Sequence, residues 1–520
     1  MVSMRERFIF VLIALVGAFI ITRCTVAQPT YTDSFYYLNA ANRLVSGEGL
    51  TDAYLWNYVN APESLPAASH RYWMPLASLF AALGMWLLNA PGNYAAAQLP
   101  FTLMYAALVY IGFWLGYRLG GTRRHAWIAG LLTLFSGFFV RFWGETSTFA
   151  PYGLAGALCL VWLGLGVLGK RPFIAFFIAG IGAGLGHLTR ADGLLLLIVG
   201  YITIALQWWQ TRQTQIWGAG LLSLTLGYLL VMTPWFLRNL NEIGSLLPAS
   251  GLQGIWFQEY DDIFSYPFNA NPQTFFAEGI SILFASRWTA LTNNVMRFIA
   301  EQGMIIMTPL MLLGLWNRRR EPFLRAFWLY ALALFITMTF VFPYPGYRGG
   351  LFHSAAALVP FWSALGVVGL DDAVDWIARR RRHWNARTAK TIFSGALLAL
   401  AIVLSLAIIK PAAARTPEMY SELMQNLPPN ARVMINDPAA LYYFTGFGGV
   451  VLPNNSPEVL PEIARRYDID YLVLEFVNLD SGDTLLAAPR ALWFNPDAPP
   501  AFLVEVAVGA PNMRLYEIHP

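Results

Sequence analysis

Residues 7–26 read RFIFVLIALVGAFIITRCTV, and residues 32–50, a few positions further on, read TDSFYYLNAANRLVSGEGL. The first stretch is apolar on nearly every face over about 20 residues, the length a helix needs to cross a hydrocarbon core. The second is amphipathic. Tyr36, Tyr37, Ala40, Ala41 and Leu44 recur at helical spacing, Asp33 heads the pattern, and Gly47 and Gly49 end it. Arg5 and Arg7 precede the apolar stretch and no convincing small-residue cleavage site follows it, so it reads as an uncleaved anchor in preference to a signal peptide.

The same apolar signal recurs along the chain. Further runs lie near 97–118, 125–143, 149–169, 172–188, 193–209, 215–236, 298–316, 324–342, 353–370 and 391–410, which makes eleven with the first. The runs at 172–188 and 193–209 are short and separated only by LTRAD, so a kink or partial burial is expected there. Composition agrees: 57% of the 520 residues are hydrophobic and 12% are charged, with a mean hydropathy of +0.49. A soluble domain carries about twice that share of charge. The net charge of +4 suggests no nucleic-acid partner. Cys24 and Cys159 each lie in an apolar run, with no spacing that suggests a metal site or a disulfide framework.

Placing the N-terminus in the cytoplasm and alternating sides puts twice as many Lys and Arg in the cytoplasmic segments as in the outer ones. The expected molecule is a multi-pass protein of the plasma membrane, an α-helical transmembrane domain over 1–411 with about eleven spans. After Lys410 the pattern changes: PPNARVMINDP, LYYFTG, YDIDYLVLE, AFLVEVAV and MRLYEIH alternate β-like and helical stretches. This predicts a small α/β domain over 412–520 on the extracytoplasmic side. Two outer segments are long, 27–96 and 237–297. The first contains YWMPLASLFAALGMWLL, which reads as an interfacial or re-entrant helix. The second is rich in aromatic and turn residues, and long ordered loops tend to carry function.

Polar residues gather at the outer boundary. Asp33 is either a helix cap or a general base for a substrate reaching out of the lipid. In GHLTRADGLLLL, residues 186–197, Arg190 and Asp192 interrupt apolar sequence; they form a local pair at the interface, or Arg190 binds an anionic head group. In YPGYRGGLFHS, residues 344–354, Arg348 is the only cation, flanked by glycines and followed by His353. It is an interfacial turn residue or a guanidinium fork for phosphate. Glu145 in RFWGETSTFAPYG is a second polar group of the same cavity or a helix-start residue, and His70–Arg71 close the polar part of the first loop. No metal-spaced cluster, P-loop or nucleophile elbow is present in the sequence.

Together these features resemble the GT-C superfamily of membrane glycosyltransferases, in particular the protein-mannosyltransferase and aminoarabinose-transferase branch. The resemblance rests on Asp33, Tyr36, Tyr37 and Gly47 after the first span, on WMPLASLFAALG, on LTRADGLLLL, on TPWFLRN at 233–239 followed by GSLLPAS, and on the C-terminal domain with YDIDYLVLE. It implies transfer of a sugar from a polyprenyl-phosphate donor to an acceptor hydroxyl (of a glycan, lipid or protein) at the extracytoplasmic face, inverting and without metal or cofactor. It implies Asp33 as catalytic base, with Arg190, Arg348 and Arg71 as phosphate ligands, and leaves Tyr36, Tyr37, Glu145, Asp192 and His353 as pocket candidates. Protein mannosyltransferases commonly show Asp-Glu where this chain has Asp33-Ser34, which weakens protein as the acceptor. The rival classes are a transporter or flippase of a lipid-linked or anionic substrate, which would normally show internal repeats and midplane ionisable groups, and a non-catalytic assembly protein, which would tolerate loss of Asp33.

Overall fold

A computed structural model describes all residues except 1, 170, 249, 278, 382–383, 410–413, 415, 480–481, 486–494, 496–497, 511 and 520. The expected domain boundary at 411/412 lies outside the described residues.

The first helix, Met4–Thr25, opens with a capping box in which the Ser3 hydroxyl accepts from the Glu6 amide and the Glu6 carboxylate accepts from the Ser3 amide. Phe10, Ala14, Ala18 and Ile21 form its buried stripe, whereas Phe8, Leu12, Val16, Phe19 and Ile20 are exposed. A helix that exposes its large apolar side chains is solvated by lipid. Among the described residues nine helices are long and apolar enough to cross a membrane, and the molecule is an integral membrane protein.

Nine of the eleven apolar runs coincide with these helices; two do not. The run at 125–143 is a helix, Arg123–Leu134, that stops at Phe135 and resumes as a short 3-10 turn, Gly137–Arg141, with Gly137 at φ +60°. The run at 298–316 breaks at Met304 and Ile305, both left-handed at φ +45° and +63°, before the helix Thr308–Arg318. Left-handed residues interrupt the helical hydrogen-bond ladder without changing the hydropathy, so the sequence pattern runs through both breaks unaltered. The helices Pro172–Thr189 and Ala191–Thr211 are separate, as the short runs suggested.

Small residues set the closest packing. A Cβ on Gly180 would stand 2.1 Å from the Leu224 carbonyl oxygen, and one on Gly227 would stand 2.2 Å from that of Phe177. The helices Pro172–Thr189 and Thr214–Ile243 therefore touch backbone to backbone, as small-residue interfaces in membranes allow.

Beyond the first helix, Thr32–Val45 forms a second helix and Leu76–Leu87 a third. The third buries Ala77, Ala81 and Met85 and exposes Trp86, Leu87 and Leu88, the character expected of an interfacial helix. The intervening loop carries β1 (Thr51–Asp52), β2 (Tyr54–Leu55) and β3 (Ala67–Ala68), with β1 and β3 antiparallel.

The C-terminal part supplies β4 (Arg432–Ile435), β5 (Gly448–Val451), β6 (Tyr471–Leu479), β7 (Gly482–Leu485), β8 (Leu503–Val506) and β9 (Met513–Ile518). The sheet order is β2-β5-β4-β6-β9-β8, with β7 paired to β6. Its first strand comes from the N-terminal loop: Tyr54 and Leu55 pair in parallel with Gly449 and Val450. The α/β unit is thus completed by the segment that follows the first helix. The second long loop packs here as well, with the Tyr58 amide donating to the Ile263 carbonyl and the Asn454 amide to that of Phe264.

Candidate active site

Asp33 is the second residue of the helix Thr32–Val45, whose N-cap is Tyr31. It therefore sits inside the first turn instead of capping it. Its carboxylate makes no side-chain hydrogen bond or ion pair among the described residues. Burial pushes it up to about 6 against the pull of Arg190, and Asp437 adds to the rise. Tyr31, Tyr37, Tyr72 and Tyr260 lie within electrostatic reach of the same carboxylate.

Arg190 terminates the helix Pro172–Thr189 in an extended conformation, φ −150° and ψ 141°, and a 3-10 turn, Ala191–Gly193, follows. Its Nε donates to Asp192 Oδ1 at 2.9 Å and to Ser354 Oγ at 3.0 Å. Ser354 Oγ in turn donates to Asp192 Oδ2. This three-way clamp fixes the guanidinium by its Nε edge. The two terminal nitrogens form no hydrogen bond among the described residues, which leaves the outer edge of the fork for a ligand.

Arg348 lies where the chain turns through Gly346–Gly350, with Gly349 at φ +152°, a value that favours glycine. Arg348 is exposed and forms no ion pair or hydrogen bond among the described residues. Its guanidinium carbon stands 4.7 Å from the centroid of the Tyr260 ring. Tyr260 is itself an electrostatic neighbour of Tyr72 and Asp33. Asp33, Arg190 and Arg348 come from three segments far apart in sequence and are linked through electrostatic neighbours: Arg190 acts on Asp33, and Tyr260 lies within reach of both Asp33 and Arg348.

The other candidates fall elsewhere. Arg71 belongs to a neighbouring cluster around Asp52, in a cavity of about 30 Å³ lined by Tyr36, Asp52, Trp56, Arg71 and Tyr72. Tyr36 donates to Asp52 Oδ2 at 2.9 Å and accepts from the His70 amide at 2.8 Å, so it serves that cluster and not Asp33. Burial pushes the Asp52 carboxyl up to about 7 and the His70 imidazole down to about 3. Tyr37 faces Asp33 and Arg190 electrostatically and is fully enclosed. Glu145 is buried and accepts from Thr30 Oγ1 at 2.6 Å, Ser34 Oγ at 2.6 Å and Tyr94 OH at 3.1 Å. Its oxygens are occupied in tying the start of the second helix to the turn at 142–148. Asp192 acts on Arg190. His353 shares a hydrogen bond with Thr148 Oγ1 at 2.7 Å and stacks on Phe149 at 4.0 Å.

Tyr72, Tyr260 and Asp437 are also electrostatic neighbours of Asp33, and the sequence did not single them out. Tyr260 lies in the long aromatic loop already marked as a place for function, so its segment was visible though the residue was not. Nothing in the sequence brings Asp437, some four hundred positions away, beside Asp33. Among the described residues no group of three or more His, Cys, Asp and Glu side chains converges as metal ligands would.

No family model and no curated protein matches the sequence. Solved structures do match its fold. ArnT from Cupriavidus metallidurans bound to undecaprenyl phosphate is similar at a TM-score of 0.58 and 14% identity, over 98% of this chain and 97% of that one. The Archaeoglobus fulgidus oligosaccharyltransferase in complex with Zn and sulfate is similar at 0.57 and 12%, over 91% and 72%. Archaeal AglB from the same organism, with an inhibitory peptide and a dolichol-phosphate, is similar at 0.52 and 12%, over 94% and 75%. The chain shares with these structures the fold of a polytopic helical bundle with a C-terminal sheet.

Proposed function

We propose that this chain transfers a sugar from a polyprenyl-phosphate donor to an acceptor hydroxyl at the extracytoplasmic membrane boundary, with Asp33 as general base. The observation that carries the proposal is a half-buried carboxylate with no side-chain partner among the described residues, within electrostatic reach of a guanidinium clamped on one edge only. The neighbours of this fold that were solved with undecaprenyl phosphate and dolichol-phosphate support the choice of donor.

The chemistry needs few groups. The acceptor oxygen attacks the anomeric carbon, the bond from that carbon to the phosphate oxygen breaks, and the electron pair leaves with the phosphate. Asp33 takes the acceptor proton as the new bond forms. Polyprenyl phosphate is stable as an anion, so no general acid is required, unlike the paired carboxylates of glycoside hydrolases. Arg190 and Arg348 supply positive charge where the phosphate oxygens gain negative charge. Direct displacement inverts the anomeric centre.

Purified protein assayed with a panel of polyprenyl-phosphate sugars tests the reading. Asp33→Asn keeps the shape and removes the base, so turnover should fall by roughly 10²–10⁴-fold with folding and donor binding retained. Full activity in Asp33→Asn with a confirmed donor would remove Asp33 from the chemistry.

A further inference from the structure

Two helix starts meet beside Asp33. One is the first turn of Thr32–Val45; the other is the first turn of Pro438–Thr445 in the C-terminal α/β unit. Asp437 is the N-cap of the latter: its Oδ1 accepts from the Ala440 amide at 3.1 Å. Its other oxygen, Oδ2, accepts from Thr32 Oγ1 at 2.7 Å. Thr32 is the residue before Asp33, and the helix it begins has no side-chain cap of its own. The two helices stay joined beyond this contact. Asn39 Nδ2 donates to the Ala439 carbonyl at 2.8 Å, Arg43 Nη1 donates to Tyr442 OH at 2.9 Å, and Phe35 packs on Tyr443 and Phe444.

We propose that Asp437 is a positioning residue for Asp33: through Thr32 it fixes the first turn of the helix that carries the base, so the C-terminal unit is part of the active site's framework. This deepens the proposed function and rests on Asp33 being the base. A turn without its own cap frays readily, and a carboxylate that must meet an acceptor hydroxyl within hydrogen-bond distance tolerates little displacement. Asp437 also contributes charge. The groups facing Asp33 are Arg190 from the turn after Pro172–Thr189, the phenols of Tyr31, Tyr37, Tyr72 and Tyr260, and Asp437. Burial does most to raise the affinity of Asp33 for a proton; Arg190 favours the ionised form, and Asp437 adds a smaller push against it.

Two substitutions separate anchor from charge. Asp437→Asn keeps one oxygen for the cap, turns an amide NH₂ that can donate to the Thr32 hydroxyl in place of the second oxygen, and removes the charge. Thr32→Val keeps the shape and the charge and removes the hydrogen bond. Both are made in the full-length protein and assayed for kcat and KM across pH 4.5–8.5, with melting temperature as the check on folding. Thr32→Val should lower kcat about tenfold at unchanged donor KM, and Asp437→Asn should move the acid limb of kcat/KM to lower pH. Wild-type kcat in Thr32→Val together with a superimposable pH profile in Asp437→Asn would overturn the proposal. The base assignment is judged separately by Asp33→Asn. An inactive Asp33→Asn beside wild-type behaviour of the other two variants would leave Asp33 as base and remove Asp437 from its framework.

Discussion

Asp33 should give this protein an acid limb in its rate profile well above the ordinary carboxylate range. The perturbation is pH alone. An exposed aspartate titrates near 3.9; here burial outweighs the attraction of Arg190 and carries Asp33 to about 6. A protonated Asp33 has no basic electron pair for the acceptor hydroxyl, so kcat/KM follows its ionised fraction. At pH 7 about nine-tenths is ionised and at pH 5 about one-tenth, so the rate should fall roughly tenfold between them. The sign for stability is opposite. A carboxyl whose folded pKa is raised stabilises the fold fully below its unfolded value of about 3.9 and loses that contribution as pH rises through about 6. Acid should therefore slow turnover while this group's contribution to the fold grows. Initial rates at subsaturating donor over pH 4.5–8.5, with melting temperature recorded in parallel, measure both. A limb near pH 4, or the same limb in the residual rate of Asp33→Asn, would refute the reasoning.

With Arg190 and Arg348 as the proposed phosphate ligands, removing either cation should weaken donor binding as well as turnover, since such a contact acts in both ground and transition states. Arg190→Ala also strips Asp192 of its ion partner, so its melting temperature should drop, whereas Arg348→Ala, at an exposed site, should melt like wild type. Glu145→Gln leaves one acceptor oxygen where three hydroxyls now donate, and should cost about 1–3 kcal/mol in unfolding measurements. Reporter fusions should read cytoplasmic after Arg382 and outside after Arg415; an outside reading at Arg382 would sink the orientation drawn from the Lys and Arg distribution.

Helix class and nine of the eleven expected crossings were legible because lipid imposes a length and a polarity on every crossing, and runs such as 149–169 satisfy both without reference to any other residue. The breaks at Phe135 and at Met304–Ile305 were not, since backbone dihedrals leave no mark on hydropathy. The candidate site divides in the same way. Asp33, Arg190 and Arg348 are charged residues at apolar boundaries, and such residues stand out in one dimension. Glu145 has the same appearance in the sequence, and Tyr36 lies one helical turn from Asp33, yet their oxygens are engaged with three hydroxyls and with Asp52. Which buried polar group is engaged and which is left open is decided by residues 16 to 115 positions away, and no local pattern encodes that choice.

The pairing of β2 with β5 sets an order of manufacture. A ribosome delivers Tyr54 and Leu55 roughly 400 residues before Gly449 and Val450, an interval of about 20–80 s at ordinary elongation rates. Throughout that time the segment that follows the first helix has no sheet to join, and Thr32 has no Asp437 to meet. The membrane helices can insert one after another, but the corner around Asp33 closes only when the C-terminal strands and Asp437 arrive. Synthesis therefore acts as its own quality gate, since a chain that stops early holds a nearly complete bundle and an unfinished site.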